Sequence, residues 1–143
     1  MVKIKVSIVL MLGSVAGCKV GGTIGPCVHT YEDPVLHIQS VTNAQTGQSV
    51  QALQILQVLL EGQKQDSQIL KAVSFNVTVM DSTLLCGLPC GFGTEAGIYT
   101  LTVAARGCRD TTISLPAKYA VLKGGCPSSS SGGTQHSFQM QSQ

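Results

Sequence analysis

The chain has 143 residues, of which 43% are hydrophobic and only 11% charged, and it contains no tryptophan. The length fits one domain with a modest core, and the composition excludes both a disordered chain and a charge-rich helical bundle. The formal net charge of +2 comes wholly from Lys3 and Lys5, because acidic and basic residues are balanced in the rest of the chain. We therefore predict no nucleic-acid partner, since no basic face is indicated.

The first residues have the layout of a secretory signal. Lys3 and Lys5 flank the start of an almost wholly apolar run from Ile4 to Leu12, which is too short to span a bilayer as a helix. An alternative interpretation makes this run a buried first strand, but it lacks turn residues beside the two lysines. We predict a signal peptide and hence an exported protein.

The signal ends at a cysteine. The letters VAGC, which end at Cys18, resemble the bacterial lipobox, in which the cysteine is acylated and becomes the mature amino terminus. We therefore predict a lipoprotein signal peptide over residues 1–17 and fatty acylation, such as palmitate, of Cys18. Several acyl chains on one residue hold a protein firmly to a membrane. Cleavage after Ala16 by ordinary signal peptidase is the alternative. Lys19, which is not the aspartate that retains lipoproteins in the inner membrane of enteric bacteria, is consistent with the outer membrane.

Residues 18–33 are rich in glycine and have no hydrophobic period, so we predict a flexible, lipid-anchored tether. The folded domain is predicted over residues 34–143. It begins with PVLHIQSVT, a run rich in β-branched residues that ends at the turn sequence NAQTG. VQALQILQVLLEG, residues 50–62, is ambiguous: Leu53, Leu56 and Leu60 suit a helix, whereas Leu53, Ile55 and Leu59 suit a strand with one slip. We favour a strand with an irregular extension.

The following segments alternate with the period of two that is typical of strands with one face on a core. SFNVTVM, IYTLTVAA and TTISL alternate in this way, and KYAVL follows as a further strand. After CPSSSSGG, whose Ser/Gly run predicts a loose loop, the last residues alternate again and predict a closing strand, with a disordered tail as the alternative. The residues predicted to face inward are Phe75, Val77, Val79, Tyr99, Leu101, Val103, Ala105, Thr111, Ile113, Leu115, His136, Phe138 and Met140.

Five cysteines remain once Cys18 is acylated, and an odd number in an exported protein leaves one unpaired or pairing between chains. We predict that Cys108 is the free thiol, since a free cysteine packs as a small hydrophobe. The other four allow three connectivities. We favour a local bridge between Cys86 and Cys90 (CGLPC, interpreted as a loop), and a second between Cys27 and Cys126 that ties the two ends of the domain together.

Catalytic and metal-binding chemistry finds little support. The C-x-x-x-C spacing differs from the C-x-x-C at a helix start that redox enzymes use, and no second pair completes a zinc site. GFGTEAG lacks the Lys-Ser/Thr and helix of a phosphate loop, so we interpret it as a hairpin connection. His29, His37 and His136 are scattered, and Asp66, Asp81 and Glu95 are too dispersed for an acid/base pair. We predict no catalytic residue, no metal and no cofactor.

About seven short strands separated by turns predict an all-β fold, namely an antiparallel two-layer β-sandwich. The segments PVLHIQSVTNAQTGQSV and GIYTLTVAARGCRDTTISL resemble the transthyretin-like (carboxypeptidase regulatory-like) domain, and this resemblance implies a transthyretin-like or immunoglobulin-like sandwich. Asn43, Thr46 and Gly47 match its first turn, and a Gly-x-Tyr-x-Leu-x-Val-x-Ala-x-Gly pattern runs from Gly97 to Gly107. Two features depart from that family: Cys108 stands where an aromatic residue is usual, and CGFGTEAG replaces an Asp-containing turn.

The layout resembles small bacterial lipoproteins that carry one such domain. This resemblance implies a non-catalytic binding or structural module, held to the cell envelope by the anchor, whose partner is another envelope protein or a polysaccharide. A hydrolase of purine breakdown on the same fold is an alternative, but the ending QMQSQ lacks its Tyr-Arg-Gly-Ser-like motif. A carbohydrate-binding accessory is another, although three Tyr, three Phe and no Trp give few rings on which sugars could stack.

Overall fold

The computed structural model describes residues 29–31, 33–123 and 128–143. The predicted signal peptide, the lipidation site Cys18, most of the tether, and both partners of the predicted Cys27–Cys126 bridge lie outside the described residues. β1 covers His29–Tyr31, the last part of the segment predicted as tether.

The described residues form eleven strands and one five-residue helix, so the predicted all-β class is confirmed. The helix begins after Asp66, whose side chain accepts from the backbone N–H groups of Gln68 and Ile69 and so caps it. The elements are β1 (His29–Tyr31), β2 (Leu36–Asn43), β3 (Ala52–Leu60), β4 (Gln63–Lys64), α1 (Ser67–Lys71), β5 (Ser74–Met80), β6 (Thr83–Phe92), β7 (Gly97–Ala104), β8 (Thr111–Ala117), β9 (Ala120–Lys123), β10 (Ser128–Ser131) and β11 (Thr134–Met140).

Eight strands form one main sheet, in the order β11-β2-β6-β3-β7-β8, with β4 added to β3 and β5 added to β6. The other three form a small sheet in the order β1-β10-β9. The prediction that all pairs are antiparallel was wrong, because β11 runs parallel to β2 and β1 runs parallel to β10. Neither parallel pair could be a hairpin, since long stretches of chain separate the two strands.

The main sheet is nearly closed, because its two outermost strands meet. The backbone N–H of Lys118, just after β8, donates to the Thr134 hydroxyl on β11 at 2.9 Å. Two residues further along each strand, the His136 ring donates from Nε2 to the carbonyl oxygen of Pro116 at 2.6 Å. These contacts involve side chains, so β8 and β11 face each other without forming a regular ladder.

Strand β6 bends and changes neighbours on the way. It pairs with β3 from Leu84 to Gly87 and with β2 from Cys90 to Phe92. At the bend, the N–H of Leu88 donates to the carbonyl oxygen of Gln51 at 3.0 Å. The bend lies within a strand, so the prediction that CGLPC is a loop was wrong.

β5 bends beside β6. Asn76 has a φ of +53° and lies at the register shift between Phe75 and Val77. Its amide Nδ2 donates to the carbonyl oxygen of Pro89 at 2.8 Å, which fixes the two bends against each other. The alternation predicted for this segment holds from Asn76 onward, with Asn76 exposed and Val77 buried, whereas Ser74 and Phe75 before the shift are both half-buried.

The core lies inside the curved main sheet. Every predicted inward residue of β7 is confirmed as buried, except Ala105, which lies just beyond the strand and is half-buried. β11 is also confirmed as a strand, with Met140 buried and the alternative of a disordered tail excluded. The largest fully buried side chains are Tyr99, Phe92, Leu36, Ile38, Leu53, Ile55, Leu84, Leu101, Met140, Val35, Val41 and Val103.

The ambiguous segment over residues 50–62 is a strand, β3, as favoured. The register shifts between Ile55 and Gln57, so that Val58 and Leu60 face the core and Leu59 is only half-buried. A bulge of this kind moves every later side chain to the other face, which explains why neither simple pattern fitted the sequence.

Two further local predictions were wrong. GFGTEAG is not a hairpin connection, because β6 continues to Phe92 and β3 lies between β6 and β7 in the sheet. The Ser/Gly run is not a loose loop, because Ser128–Ser131 form β10 between β1 and β9. Backbone pairing on both sides of β10 makes this strand, and such pairing requires no apolar side chain.

Candidate functional site

One end of the main sheet carries an open cleft with a volume of about 780 Å³. Three segments line it: the β2–β3 connection (residues 43–52), the β7–β8 connection (residues 105–110) and the closing segment after β11 (residues 141–143). We call this the cleft end. Its volume lies within the range of about 300–1,000 Å³ that is typical of small-ligand pockets.

Asn43, the last residue of β2, organises the first wall. Its side-chain Oδ1 accepts from the backbone N–H groups of Gln45 at 2.9 Å and Thr46 at 3.1 Å. The backbone N–H of Gly47 donates to the Asn43 carbonyl oxygen, and Gly47 has a φ of +71°, which glycine adopts without strain. The turn chemistry predicted for NAQTG is therefore present, and the turn holds the wall in one conformation.

The closing segment is tied to both connections. The Ser142 hydroxyl donates to Asn43 Oδ1 at 2.9 Å, and the Ser142 backbone N–H donates to Gln45 Oε1 at 2.7 Å. On the other side, the backbone N–H of Arg109 donates to the Gln141 carbonyl oxygen at 2.8 Å. Gln45 Nε2 also donates to Gln141 Oε1. The three lining segments thus form one hydrogen-bonded unit.

Cys108 lies at the base of the cleft and is only 2% exposed. Among the described cysteines the Cys108 thiol has no disulfide partner, and it is buried, as a cysteine that packs as a small hydrophobe would be. Asn43 Nδ2 donates to Cys108 Sγ at 3.7 Å. The same asparagine therefore fixes the turn, holds the closing segment and covers the thiol.

The rim of the cleft is polar and continues into a longer groove. Arg106 is exposed at the rim, as are the amides of Gln48, Gln51 and Gln143. Two shallower depressions, of about 380 and 540 Å³, share the wall at Ala52 and extend the groove past β6. A continuous groove of this kind suits an extended ligand better than a compact one.

Cys86 and Cys90 lie outside the cleft, at the bend of β6. Their sulfur atoms are joined, and their Cα atoms are 5.8 Å apart, within the range for a disulfide. Both cysteines are completely buried. The pair that we favoured from the sequence is therefore the pair at bonding distance. Together with the Leu88–Gln51 hydrogen bond, it holds the bend of β6 in place.

The remaining sequence candidates do not come together. His37 and His136 donate to backbone carbonyl oxygens of Pro34 and Pro116, so each serves the fold. Asp66 caps α1, whereas Asp81 lies in the β5–β6 turn. Within the described residues, no group of three or more His, Cys, Asp or Glu side chains is arranged to hold a metal ion.

The described part of the chain contains no helix long and apolar enough to cross a membrane.

The sequence analysis missed Arg106, Gln48 and Ser142 as site residues. Each of them lies in or beside a turn that follows a strand. The sequence does not show that these turns meet in the fold, so it did not indicate these residues.

Comparison of the chain with protein-family models, with curated proteins and with solved structures found no match.

Proposed function

We propose that the protein is a non-catalytic binding module, held to the outer membrane of a bacterial cell by acylation of Cys18, whose cleft end binds an extended segment of another envelope protein. The cleft and its continuation along β6 carry this proposal, because they offer a long groove with fixed walls. Amides and hydroxyls line it, and these groups can hydrogen-bond a peptide backbone.

We further propose that the main sheet is a β-sandwich of transthyretin-like type. The bends of β5 and β6 support it, since strands that pass from one sheet to another do so through bends or bulges. The Asn43 turn supports it as well, because it holds the Asn-x-x-Thr-Gly sequence in the conformation that such a turn requires.

A polypeptide ligand is favoured over a polysaccharide by what lines the groove. The described residues that form the main cleft include no aromatic ring on which a sugar could stack. Arg106 is the cation at its rim, and a guanidinium group suits a carboxylate of a peptide side chain.

The membrane anchor is tested by the mass of the mature chain. We expect the intact mass to show cleavage before Cys18 with acyl chains attached, and Cys18→Ser to abolish both the added mass and membrane association. A mature chain that begins after Ala16 and carries no lipid would contradict the anchor.

The cleft is tested by a photo-crosslinking amino acid at Gln48 in living cells. We expect crosslinks to one envelope protein from Gln48, and none from Ser114, an exposed position in the middle of β8 that does not line the cleft. Arg106→Ala should lower the yield at Gln48 without changing stability, because its side chain is exposed. Equal yields at both positions, or crosslinks to glycan alone, would contradict the proposal.

A further inference from the structure

The end of the main sheet opposite the cleft carries an apolar groove. It lies between the start of β7 and the end of β8, with a volume of about 390 Å³, and is lined by Gly97, Ile98, Pro116, Ala117, Lys118 and Thr134. The side chain of Ile98 is 50% exposed, and Pro116 is exposed beside it. Exposed apolar residues that lie side by side mark an interaction surface more often than isolated ones do.

The chain leads into the main sheet at this same end, which we call the tether end (residues 33–36, 93–97, 116–119 and 132–134). The Tyr119 hydroxyl donates to the Asp33 carbonyl oxygen at 2.9 Å, and the Gly132 N–H donates to the Asp33 carboxylate at 3.0 Å. Lys118 and Thr134, which are hydrogen-bonded to each other, line the groove itself. The groove therefore lies next to the point where the chain that follows β1 enters the main sheet.

The length of that segment limits how far the tether end can be from a membrane. Ten residues, Lys19 to Val28, separate Cys18 from β1. Fully extended they span about 35 Å, and as a flexible glycine-rich coil they span about 18 Å on average. A bilayer that holds Cys18 is thus within reach of the tether end, and the cleft end lies one strand length from the tether end.

We propose that the groove at Ile98 and Pro116 lies against the phospholipid surface when the protein is anchored. The proposal rests on the acylation of Cys18 proposed above. Ile98 and Pro116 then contact the boundary between headgroups and acyl chains, and the exposed Lys118 ammonium group lies among lipid phosphates. Glu61, whose Oε1 accepts from the Ile98 backbone N–H at 2.8 Å, keeps its negative charge beside the groove, so the contact depends on the apolar pair and on Lys118.

This contact would give the anchored protein a fixed orientation. Strands β2, β7, β8 and β11 run between the tether end and the cleft end, so lipid contact at one end directs the cleft away from the membrane. The cleft is then presented to partners in the surrounding space.

The absence of tryptophan from the chain makes the test direct, because any introduced tryptophan is the sole source of indole fluorescence. Acylated full-length Ile98→Trp, Pro116→Trp and Gln48→Trp proteins are placed in phospholipid vesicles, with and without brominated acyl chains. For Ile98→Trp we expect a blue-shifted emission and a loss of about half of its intensity in the brominated vesicles, as for side chains at the headgroup boundary. Gln48→Trp, at the cleft end, should show neither change.

Pro116→Trp provides a second probe at the groove in case Ile98→Trp perturbs β7. Vesicle flotation of all three variants distinguishes the two proposals. Flotation without quenching at positions 98 and 116 would overturn the lipid contact and leave the anchor standing. A blue shift without quenching would mean that protein, either the tether or a second copy, covers the groove, and would also overturn it. Failure to float, with no acyl mass on Cys18, would overturn the anchor and the contact together.

Discussion

The two ends of the main sheet are built on different principles. At the cleft end, side-chain hydrogen bonds from Asn43, Gln45 and Ser142 hold three connections together above a buried thiol. At the tether end, backbone segments pack so closely that a methyl group on Gly133 would overlap the carbonyl oxygens of Pro34 and Val35. Polar bonds at a surface can be replaced one at a time, whereas close backbone packing tolerates no added atom. A single substitution is therefore expected to destabilise the fold more at the tether end than at the cleft end.

The largest expected effect comes from Gly133→Ala. The added methyl group has no space, because the obstacle is backbone that cannot rotate away, so we expect the free energy of unfolding to fall by about 3 kcal/mol. Urea denaturation followed by circular dichroism measures this change.

Gly47→Ala is the matched control at the cleft end. No atom lies within 4 Å of its added methyl group, and only the positive φ of +71° disfavours alanine, so the loss should be about 1 kcal/mol. Equal losses for the two variants would contradict the difference between the ends.

The next effect concerns the bend of β6. Replacing Cys86 and Cys90 together by alanine removes a short cross-link and should lower the free energy of unfolding by about 2 kcal/mol in the chain-entropy model. Cys108→Ala removes an equally buried sulfur without a cross-link, so it corrects for the lost packing. If the double variant lost no more than Cys108→Ala, the bridge would not brace the bend.

Asn43→Ala should loosen the cleft end alone. It removes the acceptor of three hydrogen bonds and the donor to Cys108, so we expect a loss of about 1.5 kcal/mol. The Cys108 thiol, shielded in the native protein, should then react readily with an aromatic disulfide reagent under native conditions. Ser40→Ala, which removes one exposed hydrogen bond to Ser137, should leave the labelling rate unchanged.

The smallest effect at neutral pH is expected for Tyr99→Phe, which removes the hydroxyl bond to the Glu95 carbonyl oxygen and should cost about 1 kcal/mol. Burial, assisted by the negative charge of Glu95, raises the pKa of Tyr99 from 10.0 to about 12. The folded state therefore holds the phenol proton more tightly than the unfolded state does.

This site contributes its full stability below pH 10, and the contribution is lost as the pH rises toward 12. Urea midpoints measured across this range should fall further for the unmodified protein than for Tyr99→Phe. Parallel curves would contradict the role assigned to the buried phenol.

The sequence predicted strands well where one face alone meets the core. The alternation around Tyr99 and Met140 is regular because β7 and β11 each have one buried face and one exposed face. The residues before Leu60 left helix and strand open because a bulge changes the buried face in mid-strand, and no residue type marks that bulge. The serines of β10 were missed because their order comes from backbone pairing.

The candidate site was predictable only in pieces. The Asn43 turn and the buried Cys108 follow from local sequence, but their contact joins residues that are far apart in the chain. That contact depends on β11 running beside β2 and delivering Ser142 to the turn, and no periodicity indicates which strands are neighbours. Arg106 gains its position at the rim from the same arrangement.

The parallel pairing of β11 with β2 also bears on how the protein is made. β2 is the first strand of the main sheet and β11 the last, so the sheet cannot be completed until almost all of the chain has left the ribosome. Contacts between such distant segments form slowly, because a large loop must close before they are gained. A nascent chain of this topology cannot complete its main sheet until β11 is available to pair with β2, and a late completion of this kind suits the export that we propose.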